Sequence, residues 1–109
     1  MAYDEDLAER VRDVLRADPA LSERKMFGGL CLMLGGHMCC GVVGSDLMLR
    51  LGEEGAEAAL QRPHVRPMDF TGRPMSTMVY VSQEGLGGRA LRAWVDKAAA
   101  YARSLPPRR

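Results

Sequence analysis

A chain of 109 residues has the length of one domain and leaves no room for two. Apolar residues at 47% exclude a disordered polymer, and 15 basic against 14 acidic residues leave a net charge of +1, which carries no bulk argument for tight nucleic-acid binding. No stretch approaches the ~20 apolar residues of a membrane helix, and the charged start (Asp4, Glu5, Asp6, Glu9, Arg10) does not read as a leader, so a cytoplasmic protein without membrane contact is expected.

Asp4 to Ala17 reads as the first helix, with Leu7, Val11, Val14 and Leu15 in one stripe, acids in the first turn and Pro19 as the stop. Glu23 to Phe27 is a short strand broken by Gly28-Gly29. Leu30–Leu34 and His37–Val43 are apolar runs split by Gly35-Gly36, a strong hairpin signal. Gly44-Ser45-Asp46 marks a second turn before a strand from Leu47 to Leu51. Glu53 to Gln61 is a helix of Glu, Ala and Leu, ended by Pro63. Met68–Phe70 and Met75–Val81 are strands around the turn Thr71-Gly72-Arg73-Pro74. A Gly-rich connection from Gln83 to Gly88 leads to a last helix, Arg89 to Ser104, with Leu91, Trp94, Val95, Ala98 and Tyr101 on its apolar stripe. The order α-β-β-β-β-α-β-β-α predicts an α+β domain with an antiparallel sheet. Its core spans about residues 4–104, and residues 105–109 form a basic tail.

Eight methionines against 6% aromatics predict an aliphatic core whose gaps are filled by thioethers. With a two-residue turn at Gly35-Gly36, Leu34 pairs with His37, Met33 with Met38, Leu32 with Cys39, Cys31 with Cys40 and Leu30 with Gly41. One hairpin face then carries Leu30, Leu32, Leu34, His37, Cys39 and Val43, and the other Cys31, Met33, Met38, Cys40 and Val42. Helices cover the first face. The second, also apolar, needs a cover of its own: one of this chain's helices, a second subunit or a protein partner, and in the latter two cases Cys31, Met33, Met38 and Cys40 are the candidate interaction surface.

The three cysteines are odd in number and lie in apolar sequence, so reduced, buried thiols are expected. No C-x-x-C pair exists, and alternation places Cys39 and Cys40 on opposite faces, so neither metal nor cofactor is expected. A thiol-dependent enzyme would need His37 to activate Cys39. The second reading is thus a small-ligand or thiol-dependent enzyme using Cys39 and His37; no other catalytic constellation is legible, and the residues do not say whether a small molecule binds. Gly28-Gly29 lacks the remaining glycines and the Lys of a phosphate loop and reads as a bend. Arg24, Lys25, Arg62, Arg66 and Arg73 would form a basic edge for an acidic or nucleic-acid partner if they gather; solvated surface is the default. Trp94 anchors the last helix in the core.

Arg24-Lys25-Met26-Phe27-Gly28-Gly29-Leu30, the Gly36 hairpin and Leu47-Met48-Leu49-Arg50 resemble the first signature of the TfoX/Sxy N-terminal domain family. Phe70 with Gly72-Arg73-Pro74-Met75-Ser76 and Tyr80 resembles the second, and Leu86, Leu91, Trp94 and Ala98 fit its last helix. The resemblance implies a two-layer α/β sandwich of the secretion-chaperone-like type with order α-β(3)-α-β(2)-α. It further implies a link to regulation of DNA-transformation competence, in which full-length regulators act with a cyclic-AMP receptor-type activator. Those regulators carry a second, C-terminal domain, and this chain is expected to be a stand-alone N-terminal one. The resemblance carries no catalytic residues. Cys39 and Ser82 stand where the family tends to have an aromatic and a proline, which implies a strand core with less aromatic bulk.

Overall fold

The computed structural model describes residues 3–26, 28–68 and 76–106. Helix α1 (Glu5–Leu15) begins where the Asp4 carboxylate accepts a hydrogen bond from the Leu7 N–H at 3.1 Å, satisfying one of the free donors of the first turn. It buries Leu7, Ala8, Val11 and Leu15, and stops before Pro19.

Four strands follow: β1 (Leu21–Met26), β2 (Gly29–Leu34), β3 (His37–Val43) and β4 (Asp46–Arg50). Gly35 and Gly36 both have positive φ, 59° and 81°, the backbone a tight hairpin turn requires. Helix α2 (Gly52–Ala59) leads to β5 (Val65–Pro67) and β6 (Met78–Val81), and α3 (Ala90–Ser104) closes the domain. The first strand starts two residues earlier than expected, at Leu21, and four strands precede α2, one more than the resemblance implies. A strand stands at Val65–Pro67 and Met68 follows it; the rest of the strand expected at Met68–Phe70 lies outside the described residues.

The pairings between the six described strands are all antiparallel, and the sheet order is β1-β2-β3-β4-β6-β5. β6 inserts between β4 and β5. The three helices pack on one face, where their apolar stripes meet Leu30, Leu32, Leu34, Leu47, Leu49, Val79 and Val81. This two-layer α+β arrangement matches the expected fold class. Arg103 near the end of α3 reaches Asp18 beyond α1 at 2.8 Å and ties the two long helices together. Both sheet edges resist further pairing. On β1, Ser22, Glu23, Arg24 and Lys25 are exposed and mostly charged, and β5 has three residues and ends in Pro67.

One register expectation fails. Leu34↔His37 and Met33↔Met38 pair as the two-residue turn demands, but the ladder then shifts, giving Leu32↔Cys40, Cys31↔Gly41 and Leu30↔Val42. Cys39 is the extra residue of a β-bulge, which leaves it unpaired and turns its side chain to the same side as its successor. Cys39, Cys40 and Val42 all join the helix-side core, and Val43 moves to the opposite face.

Candidate functional site

The face without helices is a sulfur surface. Strand alternation along β1, β2, β3, β4 and β6 brings Met26, Cys31, Met33, Met38, Met48 and Met78 together, and Met68 beyond β5 joins them. All six described methionines belong to this one cluster. Its interior is dry: Cys31, Met48, Met68 and Met78 are buried, while Met26, Met33, Met38, Val43 and Tyr80 form a partly exposed rim.

Of the expected interaction residues, Met33 and Met38 lie directly opposite each other on that rim, and Cys31 lies beneath it. Cys40 is corrected to the other side of the sheet, because the bulge at Cys39 reverses its direction. Part of the cover this face needs comes from Met68, which follows β5 and joins the cluster. The methionines that stay partly accessible lie on β1, β2 and β3, and Tyr80 on β6 is partly exposed as well. Gly41 makes room in this cluster: a Cβ there would lie 2.8 Å from the Met48 methyl and 2.5 Å from the Leu30 carbonyl oxygen.

The thiols are poor nucleophiles. Burial, with the nearby Cys39 in second place, pushes the Cys31 thiol up to about 11. A hydrogen bond with the Cys39 thiol and then burial hold Cys40 well above the ordinary thiol range. Cys39 itself is fully buried, and the His37 imidazole is engaged by the Pro106 carbonyl. The bulge places Cys39 and Cys40 on one face, against the expectation that they diverge. Even so, among the described residues no three His, Cys, Asp or Glu side chains come together as a metal-ligand set. No described helix is long and apolar enough to cross a membrane.

The described members of the basic set do not gather. Arg24 and Lys25 are on edge strand β1 and Arg66 is on the opposite edge strand β5, five strand spacings away, or roughly 24 Å. Arg66 is bound to Asp46 at 2.5 Å and lies over the Tyr80 ring at 4.8 Å. The Asp46 hydrogen bond raises the Arg66 pKa, and burial raises that of Tyr80. Arg62 lies beyond α2, with its guanidinium over Trp94. The separation follows from β6 inserting between β4 and β5. Trp94 is buried in the helix-side core, as expected. Met26 lies on the rim, Gly28 has the positive φ of a bend (72°), and Gly29 is packed against the Val42 carbonyl. Phe27, Phe70, Arg73, Pro74 and Met75 lie outside the described residues.

The sequence matches the TfoX N-terminal domain family over residues 13–102. No curated protein and no solved structure matches the chain.

Proposed function

This chain belongs to the TfoX N-terminal domain family, and from that premise we propose that it is a non-enzymatic protein-interaction module whose methionine rim receives an apolar segment of a protein partner. The family is linked to competence regulation, and we place the chain in that regulatory class as a binding partner rather than a catalyst.

One observation carries the reading: all six described methionines share one sheet face, and Met26, Met33 and Met38 reach solvent on it. Methionine is flexible and polarizable, so a thioether surface can re-pack against differently shaped apolar partners. The alternative routes to association are weak. One face is filled by helices, and both sheet edges are charged or closed by proline. Arg24 shares the face with Cys31 through their pairing and has no acid partner among the described residues, so an acidic residue flanking the apolar segment suits it.

The test is a Met33→Lys/Met38→Lys double variant. Both side chains are partly exposed, so the fold should survive, as circular dichroism and thermal melting would verify. Titration calorimetry against a cyclic-AMP receptor-type activator, and sedimentation of the chain alone, read the two kinds of partner. At least a tenfold loss of one association is expected. A variant that associates as the parent does, or a parent that associates with neither, overturns the reading.

A further inference from the structure

Helices α2 and α3 do not close on each other. On the α2 side the lining residues are Gly55, Ala58 and Ala59 of the helix and Arg62 in the turn that follows it. Along α3 they are Trp94, Lys97 and Ala100. With glycine and alanine at the contact, the helices leave a cleft of about 510 Å³, within the range of small-ligand sites. Its lining is mainly apolar, with Leu51 at one end and Trp94 in the wall.

Two cations stand over this apolar cleft. The Arg62 guanidinium lies 5.2 Å from the Trp94 ring centroid and the Lys97 ammonium 5.4 Å from it. Neither has an acid within 4 Å among the described residues, although five other arginines of the chain do: Arg12, Arg16, Arg66, Arg92 and Arg103. Both side chains are exposed to solvent, and both stand over the same ring. A small-residue apolar slot with two unneutralised cations at one end has the complementarity of an amphiphilic anion. The hydrocarbon body would lie on Ala58, Ala59 and Ala100, and a carboxylate or phosphate head would meet Arg62 and Lys97.

We propose that the α2–α3 cleft binds a small amphiphilic anion, a single-chain carboxylate or phosphate monoester, through Arg62 and Lys97 over an alanine floor. This site lies on the helix side, away from the methionine rim, and stands or falls independently of it.

Trp94 is the only tryptophan of the chain, so its fluorescence reports on the cleft alone. The full chain would be titrated with octyl phosphate and octanoate below their micelle-forming concentrations, with octanol as the uncharged control. Saturable changes are expected for both anions, at least tenfold weaker in Arg62→Ala/Lys97→Ala and weakened by 0.5 M salt. Ala58→Leu, a change at an exposed position that fills the slot, should abolish the response with its melting temperature unchanged. Amide chemical shifts at Gly55, Ala59 and Ala100 provide a second reading that does not depend on the indole. No saturable response, an equal response to octanol, or full binding by either variant overturns the proposal. Binding of octanoate alone or of octyl phosphate alone sets the head group and upholds it.

Discussion

Gly41→Ala is expected to destabilise the domain even though it adds one methyl group to a strand that ordinarily prefers alanine to glycine. The added Cβ would lie 2.5 Å from the Leu30 carbonyl oxygen, 2.8 Å from the Met48 methyl and 3.3 Å from the Cys31 Cα. The Met48 methyl ends a flexible chain and can swing away. The Leu30 carbonyl is backbone of the neighbouring strand and cannot move without shifting β2. Overpacking of this kind costs about 3 kcal/mol, near the top of its usual range because the obstacle is backbone. Removing glycine's freedom from the unfolded chain returns about 0.7 kcal/mol. The net loss is roughly 2 kcal/mol, a drop in melting temperature on the order of 10 °C for a domain of this size. Gly87→Ala is the control. Nothing lies within 4 Å of its added Cβ and its φ is not positive, so only the unfolded-state gain of roughly 0.4–1 kcal/mol remains. Urea denaturation of both variants against the parent measures the difference. If Gly41→Ala is as stable as the parent, Met48 and Leu30 do not crowd Gly41, and the close-packed sulfur cluster described above is wrong.

The three thiols should resist an aromatic disulfide reagent at pH 8 in the native state and react together once urea unfolds the chain, since all are buried; fast labelling of one native thiol would contradict that burial. Because folding raises the Cys31 pKa from about 9.0 to about 11, its contribution to stability is complete below pH 9 and is lost as pH climbs from there to about 11. Alkaline unfolding curves should therefore steepen above pH 9, less so in Cys31→Ala, and identical slopes would refute the assignment. Asp4→Ala removes the cap of α1 together with the 2.7 Å hydrogen bond that the Gln83 side chain donates to the same carboxylate. A loss of about 1 kcal/mol is expected in the same urea assay, and no loss would show that α1 starts without this cap.

The element order was legible because its punctuation is local. Gly35-Gly36, Gly44 and Pro63 each stop or turn the chain where they stand, and the 3.6-residue stripes of α1 and α3 place Leu7, Val11, Leu91 and Trp94 in the core. The bulge at Cys39 was not legible. Cys39 to Val43 is apolar or glycine throughout, so a one-residue shift exchanges the faces without bringing any polar residue into the core. The scattering of the basic residues was hidden for a different reason. Arg24 and Arg66 look comparable in a meander, and only the non-local insertion of β6 carries Arg66 to the far edge. The α2–α3 cleft left a sequence trace in Gly55, Ala58, Ala59 and Arg62. Arg62 stands in the turn after α2, where nothing in the sequence separates it from the other basic residues.

The closed sheet edges also limit stoichiometry. An open edge can template strand after strand and has no natural last member. Here a charged strand and a proline-ended strand flank the sheet, so under the proposed function association would run through a single rim on one side. A rim that binds its own copy is consumed by one two-fold contact, and a rim that binds another protein is consumed by one guest. Either way the assembly terminates at two bodies. Raising the concentration should drive the population toward that pair and stop there, with no growth into filaments.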